Sequence, residues 1–311
     1  MELNINCDLG EKSEVFDGIN DYELLKIINT ANIACGYHAG SKEILRETII
    51  NAKKFGVSIG AHPGFNDKLN FGRKRINLTL TELDKLISEQ LEIFSEVAES
   101  ENYDFTHVKP HGALNNMACE NLDISIQIAK SISAFNKDLI FMVLPCTQMI
   151  KAAEKINLRY VCEIFADRNY DESGLLIDRK KTNSMISDPK IAVNNIFQML
   201  ENNGIKTISG KFLKTDIDTI CVHGDGPNAV GIAQPNKGSI LLIFFLNFTF
   251  VNLFSETTEY SENVVIFPEF IFPISLSYFA FSASIPLAFL QCITTLSFNF
   301  TLFTFEPKAI T

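Results

Sequence analysis

The chain holds five histidines, and each lies at the end of, or beside, a short apolar segment flanked by glycine-bearing residues. His38 follows ANIAC in NIACGYHAG, and His62 follows VSIGA in GAHPGFND. His107 and His111 bracket a segment end in HVKPHGALNN, and His223 follows DTICV in VHGDGP. Asp8 and Glu11 come directly after the first apolar segment, in NINCDLGE. A single histidine so placed is usually a hydrogen-bonded structural residue. Five of five are harder to explain that way, because parallel α/β folds gather their chemistry at the carboxyl ends of strands. Mixed imidazole and carboxylate groups suit a first-row divalent ion, with Asp8, His38 and His62 as candidate ligands. An ion with an open position would make hydroxide near neutral pH. Alternatively, Asp8 and His111 act as general base and acid with no metal, and spacing leaves both possibilities open. The one HxxxH, His107 to His111, contains Pro110 and is therefore not a helical zinc pair.

A second group is cationic. NFGRKR supplies Arg73, VKPHG supplies Lys109, and FADRNYDESG supplies Asp167 and Arg168 with Glu163 just before them; Arg179 follows in LLIDR. Arginine forks bind carboxylate or phosphate bidentately. The sequence has no GxxxxGK[ST] and no GxGxxG after a strand, so any ATP would not sit in a glycine-rich phosphate loop of this chain.

Short β-branched runs near 2–7, 31–35, 57–61, 105–109, 139–144, 159–164 and 218–222 read as the strands that carry these groups. Amphipathic stretches near 41–54, 80–100, 120–134, 147–156 and 188–203 read as the helices between them, with Thr79 and Glu82 spaced as a capping box. Such alternation predicts right-handed parallel crossovers, and about seven units predict a β/α barrel. The net charge of −10 argues against a nucleic-acid surface. Seven cysteines without a CxxC predict reduced, mostly buried thiols in a cytoplasmic protein, and MELNINCDLGEKSE does not read as a signal peptide.

Seven motifs in order, NCDLGE, NIACGYHAG, GAHPGFND, FGRKR, HVKPHGALNN, EIFADRNYDESGLLIDR and VHGD, resemble the LamB/YcsF family of 5-oxoprolinase A subunits from about residue 3 to 233. The resemblance implies a seven-stranded parallel β/α barrel similar to the glycoside hydrolase and polysaccharide deacetylase group. It implies that 5-oxoproline, with ATP as co-substrate and water, becomes L-glutamate, ADP and phosphate, and that the chain works with B and C subunits. Carried over motif by motif, the expected catalytic residues are Asp8, His62, Lys109, His111 and Asp167. The expected substrate-binding residues are Asn32, Arg73, Glu163, Arg168, His223 and Asp225, and Glu11 and His38 join the site. Asn115 and Gly226 depart from the tyrosine and threonine usual in the family. Two other functions fit the same residues: a stand-alone metal-dependent amide hydrolase or deacetylase, and a non-catalytic carboxylate-binding scaffold.

Residues 1–234 therefore read as the barrel domain and 235–311 as an atypical apolar tail. The tail holds 15 of the 26 Phe and no Asp or Arg, and residues 270–305 carry no charge. That length would cross a bilayer, but Pro273, Pro286 and recurrent Ser, Thr and Asn interrupt it and basic flanks are nearly absent. The tail reads as an aberrant, frameshift-like terminus rather than a membrane hairpin, expected to pack poorly on the barrel and to promote aggregation. Size-exclusion and thermal melts of the full chain against residues 1–234 check this; a monodisperse and more stable full chain would mark the tail as real structure.

Overall fold

The computed structural model describes residues 4–226 and 228–234. The expected tail, 235–311, lies outside the described residues. In chain order the elements are β1 (Asn4–Leu9), α1 (Asp21–Leu25), β2 (Thr30–Ala34), α2 (Lys42–Phe55), β3 (Ser58–His62), α3 (Leu80–Ser100), β4 (Phe105–Val108) and α4 (Gly112–Glu120). They continue as α5 (Leu122–Phe135), β5 (Ile140–Val143), α6 (Gln148–Ile156), β6 (Tyr160–Phe165), α7 (Pro189–Glu201), β7 (Gly204–Lys206), β8 (Phe212–Lys214) and β9 (Thr219–His223). Seven parallel strands close a barrel in the order β1-β2-β3-β4-β5-β6-β9. Each expected strand is present within two residues of its predicted bounds.

Local chemistry sets the helix limits. Ser41 caps α2, whose end is marked by Gly56 at φ 67°, and Thr79 with Glu82 forms the expected capping box on α3. Asp188 caps α7, with Pro189 in its first turn. The structure adds to the sequence reading in three places, the first being the short helix α1. The helix expected over 120–134 is α5, begun by the Asn121 side chain, which accepts from the amides of Asp123 and Ile124, and an unanticipated helix, α4, precedes it. The antiparallel pair β7–β8, inserted between α7 and β9, was not anticipated.

Alternation along β1 creates two environments. Ile5, Cys7 and Leu9 join the apolar core. Asn4, Asn6 and Asp8 face the barrel interior, which is filled by a polar ladder rather than by aliphatic layers. Asn4 donates to Thr30 at 2.8 Å, Asn6 to Thr219 at 2.8 Å, and Asn32 to Asn6 and to Asp8, both at 2.8 Å. His107 reaches Asn32 Oδ1 at 2.8 Å. Gly60 makes room for that ring, since a Cβ there would lie 2.2 Å from His107 Nε2. Of the described cysteines, all but Cys146 are buried. No helix of the described residues is long and apolar enough to cross a membrane.

Asp21, at the start of α1, is half-buried, with one oxygen accepting from the Gly10 amide at 2.8 Å and the other without a hydrogen-bond partner among the described residues. Burial pushes its carboxyl up to about 7, against the pull of the Gly10 amide and with the help of nearby Glu11. The folded state thus holds this proton more tightly than the unfolded chain, so stability falls as pH rises from about 4 to about 7. Asp21→Asn should raise the melting temperature by a few degrees at about pH 8, with the gain vanishing towards pH 4. Thermal melts across that range test it; an unchanged pH profile would mean that Asp21 does not titrate with folding.

Candidate active site

The carboxyl ends of β1, β3, β4 and β9 and the loops that follow open into one cavity of about 690 Å³. Asp8, Glu11, His62, Arg73, Lys109, His111, Arg168, Arg179 and His223 line it. At its floor is Lys109, 3% exposed. Its ammonium lies 2.8 Å from Asp8 Oδ1, 2.6 Å from Glu163 Oε1 and 5.1 Å above the centre of the Phe165 ring. A buried ammonium needs such counter-charges to offset its lost hydration. Burial alone would lower the Lys109 pKa, but Asp8, Cys221 and Glu163 hold it well above its ordinary value. Burial would likewise raise Asp8, but His62 and Lys109 hold it well below the carboxylate range. Glu163 is raised: burial drives it up, Lys109 pulls against the rise and Asp8 adds to it. One ammonium thus bridges two buried carboxyl groups, one held below and the other above its ordinary value.

On one flank Glu11, His38, His62 and His111 meet. Glu11 Oε1 lies 3.0 Å from His38 Nε2, 3.0 Å from His111 Nδ1 and 3.7 Å from His62 Nε2. His62 Nε2 is 3.1 Å from His111 Nδ1 and 3.4 Å from Asp8 Oδ2. The rings of His38 and His111 stack with centroids 3.8 Å apart. Burial pushes His38 down to about 3, and the neighbouring His111 adds to the shift. On the other flank His223 Nδ1 donates to Asp167 Oδ1 at 2.8 Å, and its ring stacks on Phe165. Backbone pairing places His223 opposite Asp8. At the mouth, Arg73 and Arg179 both pair with Asp225.

The structure therefore brings Asp8, His62, Lys109 and His111 together, with His223 beside them. It places several expected residues elsewhere. Asn32, expected to bind substrate, is fully buried with both side-chain atoms committed to Asn6, Asp8 and His107, so it positions Asp8. Glu163, Asp167 and Asp225 do not line the cavity and act through Lys109, His223 and the two arginines. Arg168 lines it but donates to the carbonyls of Ser184 and Ile177, fastening the loop after β6. Of the three expected metal ligands, His38 and His62 group with Glu11 and His111, whereas Asp8 groups with Cys221 and His223. The sequence signal for Glu11 was its place in the NCDLGE motif; nothing in the spacing ranked it above Asp8. His107 belongs to the interior ladder, and burial with the nearby Lys109 charge lowers it to about 3.

Lys109→Met leaves the Asp8 and Glu163 carboxylates facing each other without the ammonium. It should cost about 3–5 kcal/mol of stability, read from urea unfolding of the full chain. Adding Glu163→Gln should recover part of that loss. A Lys109→Met chain as stable as the parent would show that the ion pair is not buried as described.

The LamB/YcsF family model matches residues 3–240. The chain is 40% identical over 230 residues to the 5-oxoprolinase A subunit of Staphylococcus carnosus (strain TM300), covering 74% of this chain and 91% of that one. It is 39% identical over 235 residues to the 5-oxoprolinase A subunit of Rhodopseudomonas palustris (strain BisB5), covering 75% and 92%. Among solved structures, the lactam utilization protein of Thermus thermophilus superposes with a TM-score of 0.72 at 34% identity, over 78% of this chain and 97% of that one. On this match of sequence and barrel, the chain belongs to the LamB/YcsF family.

Proposed function

We propose that the chain performs the hydrolytic ring opening of 5-oxoproline to L-glutamate, as the A subunit of an ATP-dependent 5-oxoprolinase that works with B and C subunits. The observation that carries this reading is the arrangement around one cavity of Lys109, held between Asp8 and Glu163, and of His223, held by Asp167. The names of the relatives supply the substrate.

A five-membered lactam is a stable amide, and its ring nitrogen leaves poorly. Phosphorylation of the amide oxygen makes the carbon electrophilic and couples opening to ATP. What remains is attack by water with formation of a carbon–oxygen bond, cleavage of the carbon–nitrogen bond with a proton delivered to nitrogen, and release of phosphate from the resulting acyl phosphate by a second water. Each step has a suitable group here. Asp8, ionised at the cavity wall and 3.4 Å from His62 Nε2, is placed to take the water proton, while His62 is held by the hydrogen bond from its Nδ1 to the Lys109 carbonyl at 2.6 Å. The Lys109 ammonium offsets negative charge developing on oxygen. His223, fixed by Asp167 and open to the cavity, supplies the proton to the departing nitrogen. Arg73 and Arg179 are suited to a carboxylate or phosphoryl group. The group of Glu11 with three histidines favours a second reading, a metal-dependent amide hydrolase that acts alone.

Purified chain alone should release no glutamate from 5-oxoproline, and should do so when B and C subunits and ATP are added. ATP-independent turnover by the isolated chain would favour the second reading. In the assembled enzyme, His223→Asn should lower kcat by about 10²–10⁴ with little change in KM, the size expected for loss of a general acid. Activity within a few-fold of the parent would remove His223 from proton transfer.

A further inference from the structure

Lys109 offsets Asp8 and Glu163, whereas Glu11, 2% exposed, is paired only with imidazoles. Two of those imidazoles have their free nitrogen aimed by the backbone. His62 Nδ1 lies 2.6 Å from the Lys109 carbonyl and His111 Nε2 lies 2.9 Å from the Phe71 carbonyl. A carbonyl only accepts, so both of these nitrogens carry the proton. In the neutral rings the lone pairs then sit on His62 Nε2 and His111 Nδ1, 3.1 Å apart, with Glu11 Oε1 3.0 Å from the second. Three electron-rich atoms so close repel one another unless a proton or a metal cation lies among them. His38 closes the fourth side through Nε2, while its buried Nδ1 finds no hydrogen-bond partner among the described residues.

The spacing is close to that of ligands around one small cation. Nitrogen and oxygen ligands about 2.0–2.2 Å from a tetrahedral ion lie roughly 3.3–3.5 Å from one another. The Glu11–His38, Glu11–His111, His62–His111 and Glu11–His62 separations are 3.0, 3.0, 3.1 and 3.7 Å, and all four ligand atoms lie within 4.8 Å of one another. The rings are also confined. A Cβ at Gly72 (φ +62°) would lie 2.7 Å from His38 Cβ and 2.9 Å from His111 Cδ2, and one at Gly64 would lie 2.7 Å from His38 Nδ1. Buried Gln90 on α3 holds Gly64 through both its amide and its carbonyl. Ligation by all four groups requires the stacked, parallel rings of His38 and His111 to turn toward a common point.

We propose that Glu11, His38, His62 and His111 form a binding site for one first-row divalent cation of the zinc type, at the wall of the cavity and beside Asp8. Three imidazoles and one carboxylate are suited to such an ion and poorly suited to Mg²⁺ or Ca²⁺, which prefer oxygen. The assignment does not depend on the substrate, so it is tested on the resting protein. Full-length chain stripped with a chelator is titrated with zinc by calorimetry and with cobalt by visible absorption. One ion per chain at micromolar affinity or tighter is expected, with cobalt bands of low-coordinate geometry and a zinc-dependent rise in melting temperature. Glu11→Gln and His111→Ala should each weaken binding by more than about 100-fold, beyond the effect of an outer-shell change. His223→Asn, which alters the neighbouring Asp8 group, should stay within a few-fold. The near-isosteric Glu11→Gln keeps the test valid if His111→Ala fails to fold. Binding no tighter than millimolar would overturn the proposal, as would parent-like affinity in Glu11→Gln. Loss of the ion in His223→Asn with retention in Glu11→Gln would overturn this ligand set.

Discussion

The buried ammonium of Lys109 is the interaction on which the cavity depends. It comes from the end of β4, and its partners Asp8 and Glu163 come from β1 and β6. With Cys221 of β9 3.2 Å away, it gathers strands from around the whole barrel onto one charge. Desolvating that charge is costly, so its partners must be held in place. The interior ladder does this for Asp8: Asn6 and Asn32 stand beneath it, and His107 holds Asn32 from the β4 side. A polar barrel interior is therefore the means by which a carboxylate and an ammonium are kept in register at the mouth. Every rung is hydrogen-bonded, which offsets the cost of polar groups in a core.

Around this charge the chain separates rigid parts from adaptable ones. Groups next to Lys109 are fixed by strands or by backbone carbonyls, as His62 and His111 are. The outer cations are carried by the long connection between β6 and β9 and by the loop after β3. Arg73 and Arg179 converge on Asp225 without a strand to hold them. Arg168 is spent on its own loop, where it binds two carbonyls and keeps the connection folded over the cavity. Recognition at the mouth thus rests on loops, while the groups suited to proton transfer rest on the barrel.

The division matches the chemistry proposed. An activated lactam needs a base for the water and an acid near the leaving nitrogen, and Asp8 and His223 both line the cavity that holds the ammonium. His62 and His111 lie with Glu11, and His223 lies with Asp167. Phe165 stacks on His223 and also lies under Lys109, so one aromatic ring spaces the two charged groups.

The seven strands were legible in the sequence because β-branched runs of strand length alternate with capped, amphipathic helices, and both patterns are local. The rim of the site was legible for the same reason: histidine, aspartate and glycine fall where each strand ends. Helix α4 was hidden, since GALNN has weak helical propensity and its start doubles as the site loop. Which side chains meet was not local. Asp8 and His223 become neighbours only when β1 pairs with β9, more than two hundred residues away in sequence, and that pairing exists only once the barrel closes. Sequence order placed Asp8 with the histidines and Asn32 with the substrate. The closed barrel turns Asp8 toward Lys109, gives the three imidazoles to Glu11, and seals Asn32 beneath them, because alternation along each strand and the stagger between strands decide which atoms share the interior.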